Sequence, residues 1–584
     1  MVDFPIVRTL SLLVLLGVSI SWIQAQTAPF ESGAWVGNVT TSGATAAVRV
    51  RSEGASVRWV VSENATLTKP VYSAAVKATS ATGRVVKLEA PMLKANTLYH
   101  YGFEVNGVLR SEPEWRGQFR TFPSGAASFK IVFGSCGDHR DKDQRAYEAI
   151  LAEKPLVFSS TGDLHYSNTN SANVEEYRKN YDGVLSAPAQ AELYRNVPVA
   201  YVWDDHDYAG NDSDGTSIGR DAARQAYGDY VPHYPRAAGD GTIGQAFTIG
   251  RVRVIMTDLR SASASIRAPD NAAKVRLGAA QMAWFKRELL AARDAGYPLI
   301  LWVNPVPWIS VAGTGADDWG IYATERKAIA NFIKGAGITN LAILSGDMHG
   351  IAYDDGRNAD YADGGGAAMP VMHGAALTRD GSVKGGPYSG GAIPGRLQYG
   401  VLEITDTGGA SVQAQYHGKR VGEGVRLSGR FTGTSIVAYS GLDGMVTTNP
   451  AERALTALSS RDRISSVDGV TIVGFVIGGV HPRTVLIRAV GPSLATQGVT
   501  EALPDPTITV HKGPAVIAQN DNWVEGNVAQ LRNLFTRVGA GPLTSADGKD
   551  AALVVTLAPG VYTAVVRSAD GKMGTVLAEI FEVQ

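Results

Sequence analysis

The sequence predicts a multi-domain protein in which a layered α/β domain lies between two β-sandwiches. Its 584 residues are too many for a single domain with one hydrophobic core, because domains usually hold roughly 100 to 200 residues. Short segments of alternating apolar and polar residues occur at both ends, whereas fully apolar runs alternate with helical segments in the middle. Hydrophobic residues make up 45% of the chain, and 66 glycines supply turns. These features favour several folded, turn-rich units over a disordered chain.

The near-zero net charge excludes partners that are attracted by a strong overall electrostatic field. Lys and Arg total 54 against 55 for Asp and Glu, which gives a net charge of −1. A balanced chain has no global attraction to nucleic acid or to an anionic membrane surface, and no nucleic-acid-binding surface is evident. The partner must therefore be recognised locally.

Residues 1–25 are predicted to be a signal peptide. Arg8 lies in a short head, an apolar run covers residues 10–20, and small residues lead to cleavage near Ala25. A membrane anchor is the alternative, but it needs about 18 unbroken apolar residues, and Gly and Ser interrupt this run. We therefore expect an exported protein, periplasmic, cell-surface or extracellular, with no transmembrane segment in the mature chain.

Residues 26–124 predict an antiparallel β-sandwich. The strand-like segments are WVGNV, AAVRVRS, VRWVVSE, VVKLEA, LYHYGFEV and GQFRTF. Their short length and regular spacing resemble a fibronectin type III or immunoglobulin-like unit. We expect this domain to act in cover or recognition.

Residues 128–434 predict the central α/β domain. Its apolar runs are FKIVFGSC, KPLVFSST, VPVAYVWD, RVRVIMTD, PLILWVNP and NLAILSGD. Runs without alternation are typical of parallel strands buried on both faces, and amphipathic segments such as LGAAQMAWFKRELLAARDAG lie between them. The later segments LQYGVLEITD and SVQAQYHG could complete a second sheet.

The carboxy-terminal part predicts a linker over residues 435–460 and a β-sandwich over residues 461–584. Segments such as TVLIRAVG and AALVVTLAPGVYTAVVRS alternate with turns of Gly, Pro, Asn and Asp. This module resembles those appended to many exported bacterial proteins. It could bind a surface partner.

Polar side chains follow the apolar runs of the central domain at the point where each run ends. They are Cys136, Asp163 and Tyr166 in GDLHY, Asp204 to Asp207 in WDDHDY, Asn304, and Asp347 and His349 in GDMHG. The carboxyl ends of parallel strands share one edge of a sheet, so side chains distant in sequence converge there. The sequence therefore predicts one crevice lined by thiol, carboxyl, phenol and imidazole groups.

Such a set of groups predicts metal ions. Crowded carboxylates repel one another in a partly dry cleft unless a multivalent cation neutralises them. Two ions about 3.5 to 4 Å apart, bridged by a carboxylate, would suit phosphate-ester hydrolysis, because one activates water while both stabilise charge on phosphorus. Asp163 is the predicted bridge. Thiolate and phenolate favour iron and carboxylates suit calcium, while zinc stays open.

The motifs, in this order, resemble the PhoD-like alkaline phosphatase and phosphodiesterase family, a branch of the calcineurin-like metallophosphoesterases. They are SCGDHR, TGDLHY, VWDDHDY, LGAAQMAWFKREL and LSGDMHG, and the resemblance covers roughly residues 30–430. An amino-terminal β-sandwich is also typical of that family. The resemblance implies a secreted, metal-dependent phosphoesterase that uses a metal-activated water.

The resemblance also implies roles for individual residues. The implied metal ligands are Cys136, Asp163, Tyr166, Asp205, Asp347 and His349, the first three holding Fe³⁺ and Asp163 also touching Ca²⁺. His206 would contact the phosphate or protonate the leaving group, so it and Asp163 are the predicted catalytic residues. Arg140 could reach a phosphate oxygen as a second substrate-binding residue.

Two positions keep two interpretations each. Asn304 lies where the wider superfamily has a histidine ligand, which leaves its role open. Asp258 and Arg260 look like the DxR stretch of the family, but a structural ion pair between them is equally compatible with the sequence.

Two alternative functions also remain at this stage. GDLHY resembles the second motif of purple acid phosphatases, so a phosphomonoesterase of that kind is one alternative. The other is a surface-binding protein with a non-catalytic central domain. The sequence does not distinguish phosphate monoesters from diesters as substrates.

Overall fold

A computed structural model describes residues 29–237, 241–313, 317–435, 457–477, 483–525, 528–545, 547–558 and 560–583. The predicted signal peptide and residues 436–456 of the predicted linker lie outside the described residues. The chain divides into two compact units, with the boundary between Val446 and Thr447. No described helix is long and apolar enough to cross a membrane.

The first unit begins with two antiparallel sheets. Their strands are β1 (Trp35–Gly37), β2 (Ala44–Arg49), β3 (Ser56–Ser62), β4 (Val71–Tyr72), β5 (Val76–Lys77), β6 (Val85–Ala90), β7 (Leu98–Val105), β8 (Val108–Leu109) and β9 (Gly117–Arg120). One sheet has the order β1-β2-β6, and the other has β4-β3-β7-β8, with β5 paired to β3 and β9 to β7. Trp35 on β1 connects these strands to the central domain, since its indole donates to the Tyr230 carbonyl at 2.9 Å.

Two larger sheets form the centre of the unit. Their strands are β10 (Phe129–Gly134), β11 (Val157–Thr161), β12 (Val199–Val202), β13 (Gln245–Ile249), β14 (Val252–Met256), β15 (Leu299–Val303), β16 (Leu341–Ser345), β17 (Gly350–Asp354), β18 (Val371–Gly374), β19 (Ala392–Pro394), β20 (Gln398–Thr405), β21 (Ser411–Arg420) and β22 (Gly424–Thr434). The six-stranded sheet runs β12-β11-β10-β20-β21-β22, and the seven-stranded sheet runs β13-β14-β15-β16-β18-β17-β19.

The predicted parallel strands are divided between these two sheets. Strands β10, β11 and β12 are parallel neighbours in one sheet, and β14, β15, β16 and β18 are parallel neighbours in the other. Every residue of β11 and β15 is buried, as expected for strands covered on both faces. The antiparallel strands β20 to β22, whose first two segments the sequence predicts as able to complete a second sheet, complete the six-stranded sheet beside β10.

Helices alternate with these strands. They are α1 (Arg145–Ala152), α2 (Val174–Ser186), α3 (Pro188–Asn196), α4 (Asp205–Tyr208), α5 (Arg220–Tyr230), α6 (Ala279–Asp294) and α7 (Ala323–Gly335). Asn173 caps α2 by accepting from the Glu175 amide at 3.1 Å, and Pro188 starts α3 at a position where its missing N–H has no cost. The amphipathic segment beginning LGAAQ forms α6.

A buried histidine in this unit makes its stability depend on pH. His373 on β18 is 0% exposed, and burial lowers its pKa from 6.5 to about 4. The imidazole of His373 binds a proton more readily in the unfolded chain than in the folded one. The contribution of neutral His373 to the free energy of unfolding is therefore fully present above pH 6.5 and is lost as pH falls towards about 4.

The free energy of unfolding of the parent protein exceeds that of His373→Asn by an amount that depends on pH. We expect this difference to decrease by about 1.3 kcal/mol when the pH is lowered from about 7.5 to about 5.5. The substitution keeps a donor for the Gly346 carbonyl, which lies 3.2 Å from Nδ1. Urea unfolding of both proteins at each pH measures the difference, and all other titrating groups cancel. A difference that stays constant with pH would contradict the prediction.

The second unit contains two four-stranded antiparallel sheets. Its strands are β23 (Ala457–Ile464), β24 (Thr471–Ile477), β25 (Arg483–Val490), β26 (Pro506–Lys512), β27 (Ala515–Asn520), β28 (Ala551–Leu557), β29 (Gly560–Ser568) and β30 (Gly574–Glu582), with helices α8 (Pro492–Ala495) and α9 (Val528–Val538). The orders are β23-β30-β25-β28 and β24-β29-β26-β27. Strand β23 begins inside the range 435–460 that the sequence predicts as linker.

Candidate metal centre

The carboxyl ends of four parallel strands bring the predicted site residues together. Cys136 lies two residues after β10, Asp163 two residues after β11, and Asp347 two residues after β16. Asp205 and His206 begin α4, which follows β12 after a two-residue connection. The site therefore draws on both central sheets, because β10 to β12 belong to one and β16 to the other.

The backbone turns sharply at these strand ends. Four candidate ligands have left-handed backbone conformations, namely Cys136 (φ 59°), Asp163 (φ 51°), Asp347 (φ 57°) and His349 (φ 53°). Such angles are uncommon for residues other than glycine and concentrate at functional sites. Gly162 precedes Asp163 at φ 100°, and a Cβ atom there would lie 2.4 Å from the Cβ atom of Asp204. Glycine is therefore required for the close approach of these two strand ends.

Ligand atoms converge on Asp163. Within each of three groups the donor atoms lie within 4.8 Å of one another: Cys136, Asp163 and His349; Asp163, Asp205 and His206; Asp163, Asp204 and Asp347. Asp163 belongs to all three groups and is 1% exposed. This central position is the one that the sequence predicts for a bridging carboxylate.

Tyr166 joins the same cluster. Its hydroxyl donates to Asp163 Oδ2 at 2.8 Å and lies 3.0 Å from His349 Nε2. Its ring stacks on the imidazole of His206, with centroids 4.0 Å apart. Burial, followed by the charge of Asp163, raises the pKa of the phenol well above its usual value.

The electrostatics of the cluster favour a bound cation. Burial and the neighbouring carboxylates raise the pKa of Asp163 well above its usual range, and burial raises the pKa of Asp347 to about 6. Burial and both of these carboxylates also raise the pKa of the Cys136 thiol. Each anionic form is thus costly unless positive charge is added.

Two buried carboxylate oxygens support the same conclusion. Asp204 Oδ2 and Asp347 Oδ2 have no hydrogen-bond partner among the described residues. A buried anionic oxygen without a partner is costly, because it has given up its hydration. Thiol, phenol, imidazole and carboxylate groups are all metal donors, so the residues present fit a multivalent cation.

The structure places two further charges at the site, Lys384 and Asp317, that sequence reasoning missed. Lys384 Nζ lies 2.6 Å from Asp347 Oδ1, and Asp317, like Asp204, forms an ion pair with Arg260. Asp317 also pairs with Arg276 at 2.9 Å. No local pattern marks these residues, since Lys384 lies in a glycine-rich segment and Asp317 in a loop far along the chain.

Asp258 and Arg260 do not form an ion pair with each other's side chain. Asp258 Oδ1 accepts from the indole of Trp203 at 2.8 Å and from the backbone amide of Arg260 at 2.9 Å. The guanidinium of Arg260 instead reaches Asp204, with Nε 2.5 Å from Oδ1. Of the two interpretations that the sequence leaves open, the ion pair between these two side chains does not form, because the turn directs the arginine towards Asp204.

Asn304 is buried in the core, where its side chain makes hydrogen bonds within the protein. Its side-chain oxygen accepts from the indole of Trp319 at 2.8 Å, and its amide donates to the Val306 carbonyl at 2.9 Å. The residue is 0% exposed. Both polar ends of the side chain thus have internal partners.

The two predicted substrate-binding residues both contact Tyr166. His206 Nδ1 is 2.6 Å from Asn168 Oδ1, and burial lowers the pKa of the ring. Arg140 donates to both oxygens of Asp138 at 2.9 Å and to the Tyr166 carbonyl at 2.8 Å. The guanidinium of Arg140 is thus engaged by the protein itself.

Comparison with known proteins gives two family matches. The PhoD-like phosphatase family matches residues 131–385, and the N-terminal domain of PhoD-like phosphatases matches residues 17–123. Alkaline phosphatase D of Bacillus subtilis (strain 168) is 24% identical over 343 residues, which cover 50% of this chain and 58% of that protein. The chain thus spans a little over half the length of this curated relative.

A solved structure of PhoD has the same fold. It aligns with a TM-score of 0.56 and 18% sequence identity over 70% of this chain and 91% of the solved chain. At this identity the likeness shows the fold of the aligned part of the chain. The function is argued from the site itself.

Proposed function

Because the chain belongs to the PhoD-like phosphatase family, we propose that it is a metal-dependent phosphoesterase that hydrolyses phosphate esters with water. The observation that carries this proposal is the convergence of thiol, phenol, imidazole and carboxyl groups on Asp163. Buried carboxylate oxygens without hydrogen-bond partners support metal binding at the same place. The alkaline phosphatase D relative supports the reaction class.

We propose that Cys136, Tyr166 and His349 hold one ion together with Asp163, and that Asp205 and Asp347 hold the other. The thiol and phenol favour iron, whereas the carboxylates suit calcium. When bound, these ions would supply Lewis-acid stabilisation of charge on the phosphate and on the attacking oxygen. The chain's own contribution is to fix the donors, which burial and turn geometry achieve at each strand end.

His206 is proposed to handle the proton of the departing alcohol. Asn168 Oδ1 accepts from Nδ1, so the neutral ring carries its proton there. Nε2 is then the atom that can take up a proton and pass it to the alcohol. Stacking on Tyr166 fixes the ring beside the metal ligands.

Other parts of the proposal concern the whole chain. We propose that it is exported, supported by the apolar amino-terminal segment of the sequence. The antiparallel sheets of residues 26–124 and 461–584 support an immunoglobulin-like domain and a second β-sandwich flanking a catalytic domain over residues 128–434. A surface partner for the last module would keep the enzyme near its substrate.

Hydrolysis of paired aryl phosphate monoesters and diesters by the mature protein tests this function. We expect turnover with added metal and its loss with a chelator, because the carboxylates cannot hold substrate phosphate without cations. Restoring activity by adding back iron and calcium separately would identify each ion. Full turnover in a protein stripped of metal, verified by elemental analysis, would contradict the proposal.

A further inference from the structure

Four basic side chains surround the candidate metal centre, and three of them are held by carboxylates. Arg260 is 1% exposed and pairs with Asp204 and Asp317. Lys384 pairs with Asp347, and Arg140 forms a two-pronged bond to Asp138. These three cations neutralise acids of the protein.

Arg379 is the exception. Its guanidinium lies 4.4 Å from the centroid of the Tyr166 ring and is 45% exposed. Its nearest carboxylate is Asp138, at 3.8 Å, which Arg140 already engages. Among the described residues, Arg379 makes no side-chain hydrogen bond, so its donors are free for a ligand.

The position of Arg379 is fixed by its chain neighbours. The Thr378 amide donates to the Cys136 carbonyl at 3.2 Å, and the Thr378 hydroxyl accepts from the Asp138 amide at 2.7 Å. On the other side, the Asp380 carbonyl lies 2.8 Å from His349 Nδ1. Arg379 thus lies between two residues tied to candidate metal ligands, which reduces the entropy lost when it binds a ligand.

Tyr166 contacts both the ligand cluster and Arg379. The phenol hydroxyl points to Asp163 and His349, while the ring is covered by His206 and by Arg379. His206 and Arg379 both contact the Tyr166 ring, with the imidazole centroid 4.0 Å and the guanidinium carbon 4.4 Å from the ring centroid. A phosphate held by the ligand cluster and by His206 would leave Arg379 for a neighbouring group.

We propose that Arg379 binds a second phosphoryl group of the substrate, so that the site favours phosphate esters carrying a further phosphate beyond the one that is cleaved. This rests on the proposed function and deepens it by naming a substrate class. The planar guanidinium suits phosphate because its paired N–H groups match two phosphate oxygens.

The test compares adenosine 5′-phosphate with adenosine 3′,5′-bisphosphate, using the metal-loaded full chain at low ionic strength. We expect KM for the bisphosphate to be about tenfold lower in the parent protein, and this preference to disappear in Arg379→Gln. The kcat values and KM for the monophosphate should change little. Arg396→Gln is the matched control, since Arg396 is 35% exposed and paired with Asp141, and it should keep the preference.

Several outcomes would overturn the proposal. The parent protein would then show no preference, or Arg379→Gln would keep it, or the variant would lower kcat equally for both compounds. The last result would mean that Arg379 only positions Tyr166. If neither compound is hydrolysed, the proposed function fails. Calorimetric measurement of the binding of the two compounds then tests the Arg379 subsite separately. Tighter bisphosphate binding that Arg379→Gln abolishes would still support the subsite, whereas equal binding would overturn it.

Discussion

Replacing Asp163 by asparagine is expected to abolish turnover while making the metal-free protein more stable. Asp163 belongs to three of the four donor groups among the described residues and joins ligands from different strand ends, so losing its charge removes the bridge between them. We expect turnover to fall by at least about 10³-fold. Elemental analysis should show reduced metal content in the same variant.

The stability change has the opposite sign for a separate reason. Burial and the surrounding aspartates raise the pKa of Asp163 well above its usual value, so its ionised form destabilises the folded state at neutral pH. A neutral amide of the same shape removes that repulsion. The melting temperature without metal should therefore rise, and metal should raise it less than in the parent protein.

Asp355→Asn is the control for the Asp163 variant. Asp355 is 38% exposed and pairs with Arg357 on the surface, so its replacement should leave turnover and metal content unchanged. If Asp163→Asn retains the activity and metal content of the parent protein, the central role of Asp163 is wrong.

Replacing Arg260 by leucine is expected to cause the largest loss of stability. Arg260, Asp204 and Asp317 are each at most 1% exposed, and the guanidinium contacts both carboxylates. Removing one partner of a buried ion pair leaves an uncompensated charge and costs about 3 to 5 kcal/mol. Urea unfolding of the first unit, in chelator to exclude effects of metal, measures this cost.

Arg357→Leu provides the comparison for Arg260. Arg357 is 70% exposed and its pair with Asp355 is a surface contact, so we expect its replacement to change the free energy of unfolding little. Arg260→Leu combined with Asp204→Asn should recover part of the loss, because the second change removes a stranded charge. Equal costs for the two single variants would show that burial of the Arg260 network does not determine stability.

The predicted local elements are largely those that the structure contains. The apolar runs from FKIVFGSC to NLAILSGD form β10, β11, β12, β14, β15 and β16, and LGAAQMAWFKREL begins α6. Fully buried strands and amphipathic helices leave strong local patterns, which explains their recognition. The division of the strands between two sheets leaves no such pattern, because it depends on contacts between segments far apart in the chain.

The candidate site shows the same limit at the level of single residues. The structure brings together seven predicted residues that follow strands with recognisable motifs. They are Cys136, Asp163, Tyr166, Asp205, His206, Asp347 and His349. Lys384 and Arg379 come from a glycine-rich segment whose path over the site depends on distant contacts, such as the bond from Thr378 to Cys136. Asp317 is likewise drawn in by Arg260 and Arg276.

The sequence by itself determined the order of the elements, the family and the donor types at each strand end, because these are encoded in short contiguous stretches. Only the tertiary structure decided which charges neutralise that cluster. It commits Arg260, Lys384 and Arg140 to hydrogen-bonded ion pairs with carboxylates, and it places Arg379 at 3.8 Å from Asp138 with no side-chain hydrogen bond among the described residues. The physical reason is that ion pairing acts over a few ångströms of space, and distances of that kind between remote segments are fixed only when the chain folds.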